Sequence, residues 1–367
     1  MAVSNPSRRG FIAGLMATGL MPAATWADAG SPNYLSAAAL PDGTFVLCGI
    51  SATLKVLFQI PLPGRGHAAA AHPNRPEAVA FARRPGTFAI VFDCVTHKSK
   101  AILAAPEGRH FYGHGTFSKD GAWLFTTQND YEAGQGRIGV WDVQAGYARV
   151  AEFPSGGIGP HDIKRLPYSD ILVVANGGID THPDSGRTKL NIPTMRPNLS
   201  YLKDDRIVDV VELPASLHKN SIRHLAVSSV GHVAFGMQWQ GDTDVTGLVG
   251  VHQRGSNPVV FSAPPDATRA LQGYIGSIAV GSDNATIAVT SPRGGVVQTY
   301  DAKSGRFLRS VPSEDASGIA ANTDGFITTS GLGILQRIGG SSTDHPQKLA
   351  WDNHLVSINS SHANIRG

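Results

Sequence analysis

The feature that most constrains this chain is that it repeats itself. The clearest copy reads His114-Gly-Thr-Phe-Ser-Lys-Asp-Gly121, then an apolar block at 123–127, a glycine-rich turn, and two further blocks at 136–142 and 149–153. Four strands in roughly forty residues make one β-propeller blade. Aligned on the turn seven residues downstream, further copies start at His67, His161, His224, Ser277 and Gly318; His161 needs a turn two residues longer. The six starts lie 47, 47, 63, 53 and 41 residues apart, so six blades begin inside the chain.

A seventh is split across the termini. Asn353-His354-Leu-Val-Ser-Ile358 resembles the blade-opening Arg223-His224-Leu-Ala-Val-Ser228, yet the chain ends soon after. At the other end, blocks at 34–40, 44–50 and 54–60, the first two joined by Pro41-Asp42-Gly43, lack an inner strand. The C-terminal segment is predicted to supply it, which closes the ring and removes open sheet edges. The apolar positions alternate or run in short blocks, with no sustained helical period. The reading is all-β: a single seven-bladed β-propeller domain of four-stranded blades at 30–367.

In such a blade the inner strand starts on the face to which the loop between the second and third strands returns. Five of the seven aligned starts are histidine (His67, His114, His161, His224 and His354) in a chain with 14 histidines. Equivalent blade positions point at one axis, so these imidazoles are expected to ring the channel mouth. Neutral imidazole ligates copper, zinc, iron and nickel, which makes the five candidate ligands for iron or copper. His110, Asp162 and His182 fall at the same mouth, and Asp162, or a loop carbonyl, is placed to orient a ligand histidine through its other ring nitrogen. Arg83, Arg84 and Arg293 lie on loops of that face, where they suit a carboxylate or phosphate. The longest insertion, 176–202, carries His182, Asp184, Arg187, Lys189, Asn191, Arg196 and Asn198, and reads as a lid or partner-binding element. A structural reading competes for the whole set, and its full motif is present only at His114. Gly113-His114 with Trp141-Asp142 matches the Gly-His and Trp-Asp pairs of WD-type propellers, where the histidine completes a buried hydrogen-bond network.

The N-terminus reads as an address. Arg8 and Arg9 precede a short apolar run to about Met21, and small residues lead to Ala27 or Ala29. That pattern predicts a cleaved twin-arginine (Tat) signal at 1–29 and a periplasmic protein with no membrane span in the mature chain. The run is shorter than the ~20 residues of a spanning helix. Without residues 1–27 the chain has 29 basic and 28 acidic residues, a net charge of +1 against +3 for the whole. With no basic run, nothing points to a nucleic-acid partner. The two cysteines, Cys48 and Cys94, are read as buried free thiols. Asn198-Leu-Ser200 matches a glycosylation sequon that an exported bacterial protein has no reason to use. There is no phosphate loop, nucleophile elbow, Cys-x-x-Cys or haem-attachment motif.

Several longer stretches carry a family likeness. They are Ser7-Arg-Arg-Gly-Phe-Ile12, Phe81-Ala-Arg-Arg-Pro-Gly-Thr-Phe88, Arg109-His-Phe-Tyr-Gly-His114, Gly159-Pro-His-Asp162, Asn176-Gly-Gly-Ile-Asp-Thr-His-Pro-Asp-Ser-Gly186, Thr290-Ser-Pro-Arg-Gly-Gly295 and Trp351-Asp-Asn-His-Leu355. Together they resemble the Tat-exported propellers of domain-of-unknown-function family 1513. Members are encoded beside imelysin-type iron-uptake proteins and a di-haem oxidoreductase-like protein. The resemblance therefore implies a role near iron acquisition and a periplasmic protein partner of an iron-uptake system, and it transfers no catalytic residue.

The favoured expectation is a periplasmic metal-binding accessory in iron or copper acquisition. Iron rests on the resemblance and copper on the all-imidazole ligands. Two other readings stand beside it. One is a metal-dependent propeller enzyme of the oxidase or lactonase/hydrolase type, drawing on Asp162, Asp130 and Glu132. The other is a protein-interaction scaffold whose histidines are structural.

Overall fold

The computed structural model describes residues 23–83, 87–186, 188–243, 247–339 and 342–358. The twin arginines and the apolar run after them, Arg84 and Arg187 lie outside these residues. Seven antiparallel sheets follow one another along the chain. Blade 2 starts at Gly66–Ala71, blade 3 at Arg109–Phe117, blade 4 at Pro160–Arg165, blade 5 at Asn220–Val227, blade 6 at Ser277–Val280 and blade 7 at Ala316–Asn322. Each of these six has four strands in sequence order, the β-propeller the repeat predicts. Helix is confined, among the described residues, to Pro265–Ala270 and three short 3-10 turns. None of it is long and apolar enough to cross a membrane.

Blade 1 closes the ring as predicted, with one difference. Tyr34–Ala39, Phe45–Ile50 and Val56–Leu62 supply three strands, and the C-terminal segment supplies the inner one in two pieces. Ala350–Trp351 pairs with Ala38 and Ala39, and Val356–Ser357 pairs with Tyr34 and Leu35. The inner strand thus opens at Ala350, four residues before the predicted start, and His354 sits in the gap between its halves. Ser36 Oγ donates to the His354 carbonyl (2.8 Å) and holds that gap against blade 1. Gly318 of blade 7 makes room for it: a Cβ there would stand 2.5 Å from the Leu355 nitrogen and 2.8 Å from the His354 carbonyl carbon.

The core lies between blades. One apolar cluster joins Tyr201 and Val173 of blade 4 to Phe235 and Met237 of blade 5 and Val289 of blade 6, and smaller clusters fill the other seams. Middle strands are covered on both faces and read as nearly unbroken buried runs, as in Glu77–Ala82. Outer strands such as Arg206–Glu212 have one wet face and alternate. Trp26 and Ala29, which the sequence places in the leader, pack against the seam of blades 1 and 2, and the Trp26 indole donates to the His72 carbonyl (3.0 Å). Cys48 and Cys94 are buried free thiols, pushed up to about 12 by burial.

Candidate metal centre

Inner strands converge on the propeller axis, and four of them break register where the histidine falls. The irregularities lie between Gly66 and Ala69, Phe111 and Gly115, Pro160 and Asp162, and Ile222 and His224. A bulge re-aims the side chain it carries; His67, His114 and His161 lie inside such breaks, whereas in blade 5 the extra residue is Arg223 and His224 stays paired with Gly236. Blade 6, with Ser277 in place of histidine, keeps a regular register, whereas blade 7 breaks between Ala316 and Ile319 around Gly318, so the break belongs to the blade position rather than to histidine alone.

The five histidines meet. Ring centroids lie 5.0 Å apart for His67 and His114, 5.1 Å for His114 and His161, and 5.9 Å for His67 and His161. His354 is 4.7 Å from both His67 and His114, and His224 lies 4.9 Å from His161 and 5.1 Å from His354. The expected open ring is therefore a compact cluster, because His354 and His224 touch across the axis. Gly113 permits the tightest approach: its φ is +96°, and a Cβ would come within 2.6 Å of the His67 ring. His114, His224 and His354 are buried, whereas His67 and His161 are half-buried.

Hydrogen bonds set which nitrogens are free to ligate. Asp162 Oδ1 accepts from His114 Nδ1 (3.2 Å), so the His114 Nε2 lone pair faces His67 Nε2 at 3.2 Å. His161 Nδ1 donates to the Arg223 carbonyl (2.9 Å), which leaves its Nε2 as a lone pair too. Asp162 is itself pinned by the amides of Ile163 (2.8 Å) and Leu225 (2.9 Å) and by the Lys164 ammonium (3.2 Å). Burial would raise this carboxyl, but Lys164, His114 and the Leu225 amide outweigh it and hold it well below the ordinary carboxylate range. Burial, the largest influence, pushes His67, His161 and His354 well below the usual imidazole value and His224 down to about 3. These four are neutral at physiological pH, the form that binds metal.

The donor set fits one ion. With metal–nitrogen bonds of about 2.0–2.1 Å, two imidazoles on one metal hold their nitrogens about 2.9–3.4 Å apart and their centroids about 4.5–5.5 Å apart. The His67–His114 nitrogen separation and most of the centroid distances fall in those windows. The ligand atoms of His67, His114 and His161 all lie within 4.8 Å of one another. His67 Nδ1, His354 Nε2 and both nitrogens of His224 are buried without a hydrogen-bond partner. Buried polar atoms are rarely left so, and the bare nitrogens of His354 and His224 are the ones a ligand in the cluster could take up, one from each ring.

The remaining predicted residues are distributed around this cluster. Asp162 orients a cluster histidine as expected, and that histidine is His114 of the neighbouring blade rather than the adjacent His161. His110 stacks on Tyr131 (5.8 Å) and His182 meets the same ring edge-on (5.2 Å), so both belong to a separate aromatic group on the rim. Arg83 donates to Asp352 (3.0 Å) and Asn353 (3.2 Å), and Arg65 also pairs with Asp352, so Arg83 clamps the segment that carries His354. Arg293 lies over the Tyr274 ring, 4.4 Å from its centroid. Asn198 is buried, donating to the Gly156 carbonyl and accepting from Asn176, so the sequon is a piece of blade 4. The WD-type network is not built around His114: the Trp141 indole donates to Thr126 and Asp142 caps its own turn at Gln144. Sequence reasoning missed Lys164, Arg65 and Asp352, none of which stands at a repeated position; an orienting carbonyl was expected, but no side-chain pattern could say that it belongs to Arg223.

Residues 60–358 match the family model described as protein of unknown function (DUF1513). The chain belongs to that family. No curated protein matches it. Among solved structures it is similar to hydrazine synthase from Kuenenia stuttgartiensis, at 12% identity and a TM-score of 0.59, over 86% of this chain and 95% of that one. At that identity the likeness describes the fold alone, and the family gives its members no assigned reaction.

Proposed function

We propose that this DUF1513 propeller is a metal-binding protein, exported by the Tat pathway to the periplasm and acting there as an accessory in iron or copper acquisition. His67, His114 and His161 form the ligand set, completed by His354 or His224. One observation carries the reading: three imidazoles bring their ligand atoms within 4.8 Å of one another, while Asp162 and the Arg223 carbonyl fix which nitrogens of His114 and His161 are left to bind. A set of neutral nitrogens favours copper over ferric iron on ligand chemistry, and iron rests on the family likeness stated above. Export and a partner from an iron-uptake system rest on the twin arginines and that same likeness.

The test is to load the exported protein with Cu(II) and read nitrogen couplings by electron paramagnetic resonance. Three or more coordinated imidazoles support the assignment, and an oxygen-only spectrum refutes it. Replacing Arg8 and Arg9 by lysine should leave the protein in the cytoplasm; continued export would remove the Tat reading. A hydrolase with an oxygen-rich site has less support, because the nearby carboxylates are engaged. Asp130 pairs with Arg109 (2.9 Å) and Arg137 (3.3 Å), Asp162 is fully bonded, and Glu132 faces His182 on the rim.

A further inference from the structure

The blade 7 side of the mouth carries Asp315 and Glu314 beside Asp352 and Arg65, whereas on the side of blades 4 to 6 the cations are poorly matched. Five imidazoles bring a metal no negative charge. Asp162 is balanced by Lys164, and Asp352 by Arg65 and Arg83. A divalent ion here would keep its charge, with Arg83 acting on His67 and Arg223 on His161 to add to it. Further round the rim stand Lys189 and Arg293. Lys189 Nζ donates to Gln240 Oε1 (2.6 Å), a neutral acceptor, and Arg293 rests on Tyr274, an uncharged ring. Neither has a carboxylate within ion-pair distance among the described residues. They are close in space: Gln238, two residues before Gln240, bridges to Tyr274, and the Arg223 guanidinium lies over Gly177, at the root of the loop that carries Lys189. Burial first, then Arg223 and Arg293, disfavour the charged form of Lys189.

We infer that the mouth receives a small polyanion with more than one carboxylate, seated against Lys189, Arg223 and Arg293 and serving as the anionic co-ligand of the metal held by the histidines. The inference rests on the metal-site reading and adds its missing charge. Carboxylates fit better than a lone phosphate because the three cations come from three separate blades, 4, 5 and 6, and a molecule with several acidic groups offers each its own partner. Lys189 and Arg293 lie on loops and touch no histidine of the cluster, so they can be removed without dismantling it.

Equilibrium dialysis of citrate against the metal-loaded, exported protein tests this, with elemental analysis of the same chamber. Citrate should bind while the metal stays with the protein, and Lys189→Ala with Arg293→Ala should weaken that binding at least about tenfold. The double variant should hold as much metal as the parent when citrate is omitted. Loaded protein that ignores citrate, binds it equally well in the double variant, or surrenders its metal to it would overturn the inference. Inorganic phosphate binding as tightly as citrate would overturn the polycarboxylate assignment. A protein with no metal in any sample would instead overturn the metal-site reading, so the two failures are distinct.

Discussion

Two groups of buried histidines in this propeller behave in opposite ways. His72, at the far end of blade 2, donates from Nε2 to the Gly121 carbonyl (3.1 Å) and accepts at Nδ1 from the amides of Asn74 and Arg75. His252 in blade 5 accepts from the Tyr201 hydroxyl (2.5 Å) and donates to the Ser256 carbonyl (3.0 Å). Each uses both nitrogens to staple turns. In the axial cluster the same side chain is buried as deeply, yet His224 satisfies neither nitrogen and His67 and His354 each leave one bare. Burial does not separate a structural histidine from a candidate ligand. What separates them is whether the protein itself uses up the lone pairs.

The largest expected effect comes where the two roles meet. Asp162→Ala should cost about 2–4 kcal/mol of stability, because it strands the His114 Nδ1–H and the amides of Ile163 and Leu225, and should also abolish metal binding. Chemical denaturation and elemental analysis check both halves. Next, His67→Ala combined with His161→Ala should lower metal affinity more than about a hundredfold. Its melting temperature should stay within about 3 °C of the parent. A large loss of stability in that variant would put the axial histidines in the structural class. His72→Leu is the converse: about 2 kcal/mol of stability lost with metal content unchanged.

Acid sharpens the contrast for His72. It faces Arg75, Glu77 and Lys100, and burial first, then Arg75, push it down to about 4. The folded state therefore binds fewer protons than the unfolded chain between about pH 6.5 and 4, and stability falls as pH drops through that window. His72→Leu should flatten that part of a melting-temperature profile. The smallest effect is local. Because His354 sits between two short closing strands, removing metal should speed amide exchange in 350–358 and leave blades 5 and 6 unchanged.

Much of the fold was legible because a propeller writes its architecture as a period. His114 and its copies marked the inner strands, and the orphaned C-terminal block marked the closure. The place where His354 fell was less legible, since a strand broken around a histidine looks in sequence like one continuous strand. The five candidate ligands were visible through their repetition. Their tautomers were not: Asp162 stood beside His161 in sequence but serves His114 in space, and the partner of His161 is a backbone carbonyl. The arginines were misleading for a physical reason. Arg83 looked like an anion binder and is consumed by Asp352, more than 250 residues away, across the ring closure that only the folded chain creates.

The most direct test is the metal content of the exported protein, purified without a chelating tag, in the parent, the His67→Ala/His161→Ala double variant and the His72→Leu variant. The account predicts about one copper or iron per chain in the parent and in His72→Leu, and nearly none in the double variant. A parent that carries no metal and takes up neither copper nor iron when exposed to them, or a double variant that keeps its metal, would contradict it.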